Sequence, residues 1–123
     1  MTSAMIQLFA LAAAAIAILA QWAIWFYAPV ETTMGVVQKI FYTHLPMAWW
    51  SFVSFFVVFI ASILYLARRR DHYARIAGAA CEVGVLFSGL ALATGMWWAR
   101  PIWNVWWTWA PRLTTTLVMW FVY

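Results

Sequence analysis

The uncharged stretch LPMAWWSFVSFFVVFIASILYLA, residues 45–67, decides the fold class of this chain. A transmembrane helix needs about 20 consecutive apolar residues to cross the hydrocarbon core of a bilayer, and this stretch satisfies that requirement. The whole chain is 68% hydrophobic and 8% charged, whereas about half of the residues in a soluble domain are apolar. We therefore predict an all-α integral membrane protein with a single membrane domain over residues 1–123.

Apolar runs on either side of this stretch predict further membrane helices over residues 5–27 and 76–98. The first run has no Lys or Arg before it and is longer than the apolar core of a signal peptide, so we expect it to be retained. A fourth run, residues 113–123, would rise only about 16 Å, which is half a bilayer. We expect three complete transmembrane helices and a truncated fourth, as in the N-terminal portion of a longer protein.

The basic residues predict the orientation of these helices. Four arginines lie in the short segment RRRDHYAR, residues 68–75, between the second and third predicted spans. The positive-inside rule places this segment and the N-terminus in the cytoplasm, and residues 28–44 on the outer side. The net charge of +4 then reflects topology. We expect the lipid bilayer and no nucleic acid among the partners.

Tryptophan is concentrated after the third span, where six of the 13 residues in WWARPIWNVWWTW, residues 97–109, are Trp. An ordinary aromatic belt marks both membrane interfaces, but ten of the 11 tryptophans lie near the predicted outer side. This one-sided distribution favours an outward binding platform. A helix would place Trp103, Trp106 and Trp107 on one face, and an extended strip would place Trp103, Trp107 and Trp109 together. The sequence leaves both open.

His44 is the candidate metal ligand on the outer side. Pro46 suits the first turn of a helix, so we expect the second helix to begin there and His44 to lie just outside it. A neutral imidazole in that place could ligate haem iron, or could simply be hydrogen-bonded at the interface. Arg100 and Arg112 flank the tryptophans and can pair with carboxylates. A planar apolar ligand with carboxylates and an axial position, such as haem, matches this combination.

Two further features concern helix packing and cysteine chemistry. Gly84, Ser88, Ala91 and Gly95 recur at intervals that allow neighbouring helices to approach the third span closely. The single cysteine, Cys81, excludes an internal disulfide, a CxxC redox pair and a CxxCH haem-attachment site.

Two segments resemble a known family, the haem exporter protein C family of cytochrome c biogenesis. The segment GMWWARPIWNVWWTWAPRLT, residues 95–114, is similar to its signature W-G-x-W-W-x-W-D-x-R-L-T. The matching residues are Trp103, Trp106, Trp107, Trp109, Arg112, Leu113 and Thr114. The segment IFYTHLPMAWWS, residues 40–51, resembles its outward histidine segment I-x-Y-x-H-V/L-P. The matching residues there are Ile40, Tyr42, His44, Leu45 and Pro46.

The resemblance implies a non-enzymatic protein of the inner membrane, built as a six-helix domain, that binds haem b transiently and non-covalently. It would present this haem at the periplasmic face to a haem chaperone, together with other cytochrome c maturation subunits. His44 would be an axial ligand, and the second axial histidine would come from a later outward loop. The platform would be Trp103, Trp106, Trp107 and Trp109, and the propionate partners Arg100 and Arg112.

This sequence departs from the family signature at two positions. Asn104 replaces a glycine, and Ala110 replaces an aspartate that would cap the fourth helix. Two other functions remain open at this point, a structural or assembly subunit without haem and a quinone-reactive redox subunit.

Overall fold

The computed structural model describes residues 2–123 and confirms the all-helical prediction. Its helices are α1 (Ser3–Trp22), α2 (Gln38–Arg68), α3 (Asp71–Trp103) and α4 (Pro111–Val122). The segments Ser3–Tyr27, Gln38–Arg68 and Asp71–Trp103 are long and apolar enough to cross a membrane. By its contacts the chain divides into two compact units, one ending at Lys39 and the other covering Ile40–Tyr123.

The first unit is built around α1, which continues as a π-helical turn over Ala23–Tyr27. No residue of α1 is buried, so its apolar surface suits lipid rather than a protein core. Lys39 is buried and its Nζ donates a hydrogen bond to Trp25 O at 2.7 Å. The ammonium thereby satisfies a carbonyl near the helix C-terminus, where the helix dipole favours positive charge.

Between α1 and α2, the side chain of Glu31 organises a short loop. Its carboxylate accepts hydrogen bonds from the backbone N–H groups of Thr33 and Met34. Gly35 N donates to Glu31 O at 2.9 Å, and Gly35 has a positive φ of 62° that glycine adopts without strain. These hydrogen bonds stabilise the charged carboxylate and lower the pKa of Glu31 below its usual value.

The start of α2 differs from the sequence prediction. The helix begins at Gln38 and Pro46 lies inside it, so the expectation that His44 lies outside the regular helix is wrong. An internal proline removes one backbone hydrogen bond and crowds the preceding turn. Membrane-spanning helices tolerate this because neighbouring groups can satisfy the carbonyl that is left free.

The second unit packs α2, α3 and α4 through small residues of α3, among them the predicted Gly84 and Ser88 and also Gly89, which was not among the predicted residues. A Cβ on Gly84 would lie 3.0 Å from Phe55 of α2, and a Cβ on Gly89 would lie 3.0 Å from Trp120 of α4. Ser88 is fully buried and its hydroxyl donates to Gly84 O at 2.7 Å. Small side chains therefore let both neighbouring helices lie against α3.

Candidate functional site

A cavity of about 490 Å³ lies between the N-terminal part of α2, the C-terminal half of α3, the segment after α3, and α4. This volume is within the usual range of small-molecule sites, about 300–1,000 Å³. Five of the predicted site residues line it: His44, Trp103, Trp106, Trp107 and Arg112. The structure thus brings residues from two separated sequence segments to one cavity.

The imidazole of His44 is fixed against α3. Its Nδ1 lies 3.0 Å from Ala91 O and 3.1 Å from Thr94 Oγ1. A carbonyl oxygen can only accept a hydrogen bond, so Nδ1 carries the proton and donates it. In the neutral ring the lone pair is then on Nε2. A histidine that ligates a metal through Nε2 has this same tautomer.

The tryptophan-rich segment is partly helical and partly irregular. Helix α3 continues through Pro101 to Trp103 and ends at Asn104, which has a left-handed φ of 58°. The helical alternative is therefore wrong for Trp106 and Trp107, because a left-handed residue stops the helix before them. Residues 105–110 belong to no helix or strand. Trp103 lies in α3, so it is not part of one extended strip with Trp107 and Trp109.

The tryptophan rings pack edge to face. Trp98 and Trp103 have ring centroids 5.1 Å apart at an interplanar angle of 86°, and Trp107 and Trp109 are 6.0 Å apart at 80°. This is the favoured arrangement of aromatic pairs, in which a ring edge meets a ring face. Trp107 lines the cavity, whereas Trp109 does not. Trp109 is 75% exposed and packs against Trp107.

The two candidate arginines have different surroundings. Arg100 donates from Nη1 to both the backbone oxygen and the side-chain Oδ1 of Asn104. Its guanidinium lies 5.9 Å from the ring centroid of Trp106. Arg112 lines the cavity with its guanidinium 6.0 Å from the centroid of Trp103. Arg112 is thus the cation of the cavity wall, whereas Arg100 holds the backbone turn where α3 ends.

The N-terminus of α4 confirms the position predicted for Ala110. This residue is the N-cap, Pro111 follows in the first turn, and no side chain caps the helix. The backbone oxygen of Ala110 accepts hydrogen bonds from Leu113 N and Thr114 N, both at 3.0 Å. The helix start therefore lacks the side-chain acceptor that Asp, Asn, Ser or Thr provides at the N-cap.

Sequence reasoning missed several residues of the site. Phe41 and Trp98 line the cavity and lie 6.0 Å apart between ring centroids. Phe41 precedes His44 by one helical turn, so recognising that α2 starts at Gln38 would have placed both on one face. Thr94 Oγ1 lies 3.1 Å from His44 Nδ1, and Gly95 lies beside the same ring. The small-residue spacing marked Gly95 as a point of close helix approach, but no local signal identified His44 as its neighbour or marked Thr94.

Comparisons with known proteins agree with this architecture. A family model described as Heme exporter protein C matches residues 1–123. Heme exporter protein C of Rhodobacter capsulatus is 36% identical over 98 residues, 80% of this chain and 40% of the relative. Heme exporter protein C of Escherichia coli K12 is 33% identical over 115 residues, 92% of this chain and 47% of the relative.

A putative cytochrome c biosynthesis ccmC-like mitochondrial protein of Arabidopsis thaliana is 34% identical over 96 residues, 78% of this chain and 38% of the relative. The chain spans less than half the length of these curated relatives. The match of the family model extends over all four helices and over both motif segments. This chain therefore belongs to the Heme exporter protein C family.

Proposed function

We propose that this chain binds haem b non-covalently and transiently in the cavity described above, with His44 as an axial ligand. Bound haem would be presented at the periplasmic face to a haem chaperone, alongside other membrane subunits of cytochrome c maturation. The observation that carries this proposal is the placement of His44, whose tautomer leaves the Nε2 lone pair available, in a tryptophan-lined cavity.

The residues present fit the chemical character of haem. A flat apolar macrocycle suits walls of tryptophan and phenylalanine, and a propionate suits the guanidinium of Arg112. The indole Nε1 atoms of Trp98 and Trp107 are buried and find no acceptor within residues 2–123. An unpaired buried N–H group costs about 1–3 kcal/mol.

A single histidine in the cavity suits haem better than a bare metal ion, because haem iron is already held by the nitrogens of its own ring. Within residues 2–123, no group of three or more His, Cys, Asp or Glu side chains could hold a bare metal ion. Haem supplies four ring nitrogens of its own, so its iron needs only axial ligands from protein. The role of the chain is to coordinate, orient and present the group, and the function is non-enzymatic.

The arrangement of the second unit supports the proposed orientation. The cavity lies at the N-terminal part of α2 and the C-terminal part of α3, whereas Arg68, Arg69, Arg70 and Arg75 lie where α2 joins α3. These are opposite ends of the same two helices. With the arginines in the cytoplasm, the cavity opens on the periplasmic side of the inner membrane and the N-terminus is cytoplasmic. The chain would form part of the family's larger six-helix membrane domain.

Haem titration of the purified chain in detergent tests the proposal. We expect a b-type absorbance spectrum, and His44→Ala should weaken binding or shift the Soret band because stacking cannot replace an axial bond. His72→Ala is the matched control, since His72 lies in the first turn of α3 against Tyr73. Equal spectra and affinities for the two variants would contradict a ligand role for His44.

A further inference from the structure

Gly95 lies on the face of α3 that meets the imidazole of His44. A Cβ atom built at this position would be 3.1 Å from His44 Cε1 and 3.5 Å from Nδ1. The first distance is shorter than ordinary van der Waals contact, so a side chain here would require the ring to shift by a few tenths of an ångström. At Gly78, in the same helix, an added Cβ would meet nothing within 4 Å. Glycine inside a helix costs about 1 kcal/mol relative to alanine, which makes the close contact at Gly95 informative.

The close approach is what brings Nδ1 within reach of its acceptors. Ala91 lies one helical turn before Gly95, and its carbonyl oxygen is 3.0 Å from Nδ1. The hydroxyl of Thr94 donates to Leu90 O at 2.8 Å, so its oxygen can accept from Nδ1 at 3.1 Å. A methyl group at position 95 would move the ring away from α3 and lengthen both distances, which weakens the hydrogen bonds that hold the proton on Nδ1.

We propose that Gly95 is a positioning residue for His44, which admits the imidazole against α3 so that Nδ1 is bound to Ala91 O and Nε2 is reserved for a ligand. The identity of that ligand as haem rests on the proposed function, but the positioning of the ring does not. Hydrogen bonding at the far nitrogen fixes the orientation of a ligating histidine and raises its basicity. Loss of such a partner commonly weakens metal binding by about tenfold to a hundredfold.

The first test uses the haem-free protein. Side-chain ¹H–¹⁵N spectra of the full chain in detergent should show His44 with the proton on Nδ1 and with Nε2 unprotonated. Gly95→Ala should change this pattern, whereas Gly78→Ala should leave it unchanged. An unaltered His44 tautomer and chemical shift in a folded Gly95→Ala protein would overturn the positioning role, whatever the chain binds.

The second test follows haem. We expect Gly95→Ala to weaken haem binding about tenfold and to shift the Soret band, with Gly78→Ala behaving as the unchanged chain. In a His44→Gly background supplied with free imidazole, adding Gly95→Ala should have no further effect, because free imidazole is not tied to α3. Equal loss from Gly95→Ala in both backgrounds would mean that the glycine acts on the cavity rather than through His44.

The two proposals fail in different ways. Unchanged haem binding in His44→Ala refutes the ligand role, while the tautomer measurement still decides the positioning role. If haem binding is weakened in His44→Ala but normal in Gly95→Ala, then the ligand role of His44 is supported and the positioning role of Gly95 is refuted. Should Gly95→Ala not fold, Thr94→Val keeps the backbone and removes one acceptor from Nδ1. It should still weaken haem binding, while Ala91 O keeps the proton on Nδ1, and unchanged binding in this variant would overturn the claim that hydrogen bonds at Nδ1 support the ligand.

Discussion

The indole Nε1 of Trp120 donates a hydrogen bond to the carbonyl oxygen of Val85 at 3.0 Å, which joins α4 to α3. Gly89 provides the space for this contact, because a Cβ there would lie 3.0 Å from the same nitrogen. The carbonyl of Val85 is also 3.2 Å from Ser88 Oγ. One tryptophan therefore fixes the register between the two helices that carry Trp103 and Arg112.

Trp120→Phe should loosen the attachment of α4. The variant keeps an aromatic ring but removes the donor, and we expect the free energy of unfolding in detergent to fall by about 1 kcal/mol. Trp49→Phe, at a side chain that is 66% exposed, is the control and should leave stability unchanged. Equal stabilities of all three proteins would show that the hydrogen bond contributes nothing to helix packing.

Arg112→Gln should weaken haem binding by about tenfold, since a hydrogen bond to a charged group contributes about 1.5–3 kcal/mol. The loss should disappear when haem dimethyl ester, which has no free carboxylates, replaces haem in the titration. Arg100→Gln should have a smaller effect on affinity, because Arg100 donates to Asn104. A loss of equal size with haem and with its ester would refute a propionate contact at Arg112.

Ala110→Asp should stabilise the start of α4 by about 1 kcal/mol, because a carboxylate at the N-cap accepts from free backbone N–H groups. The backbone of Ala110 is already non-helical, with ψ of 141°, which suits an N-cap. We also expect tighter haem retention, since the carboxylate would orient a neighbouring arginine. Ala110→Asn supplies the cap without the charge and separates the two effects. Weaker retention by the aspartate variant would mean that the added charge opposes the propionates.

The loop around Glu31 should be sensitive to acid. Its pKa is lowered by backbone hydrogen bonds from Met34 and Thr33. The folded pKa is therefore below the unfolded one, and the stabilisation of the loop is complete above the unfolded pKa. It is lost as the pH falls through the folded pKa. Carboxyl ¹³C titration measures this directly, and Glu31→Gln should make the loop insensitive to pH. A Glu31 carboxyl that titrates at its ordinary value would indicate that the turn is not formed.

Thiol labelling tests the orientation. In a Cys81→Ser background, Thr33→Cys and Val105→Cys should react with an impermeant reagent in intact cells. His72→Cys should react only after the membrane is opened, because the positive-inside rule places the arginine-rich turn in the cytoplasm. Labelling of position 72 alone in intact cells would reverse the proposed topology.

Length and hydropathy predicted the membrane helices well, because the centre of a span must be apolar whatever the helix packs against. The ends were predicted less well. Pro46 suggested a helix start, but α2 already begins at Gln38, since membrane-spanning helices tolerate an internal proline where neighbouring groups satisfy the freed carbonyl. Asn104, by contrast, ends α3 in the left-handed conformation that the family glycine would adopt easily.

The site was predictable in its residue types and not in its geometry. His44, Trp107 and Arg112 could be selected because imidazole, indole and guanidinium suit a planar acidic ligand. The contact between Gly95 and His44 joins residues far apart in sequence, and it depends on how two helices cross. The small-residue spacing of α3 marked Gly95 as a point of close helix approach, but it does not identify His44 as the residue that lies there.

The complete exposure of α1 has a consequence for how its sequence can vary. Within the first unit no side chain of α1 is buried, so exchanges such as Leu8→Val or Ile18→Leu disturb no packing of that unit. The constraint that remains within this unit is the cost of transfer into lipid, which is about 2.5–3.5 kcal/mol for an arginine or lysine at mid-span. We therefore expect α1 to accept many apolar sequences of equal length, while α3 accepts very few at Gly84, Ser88 and Gly95.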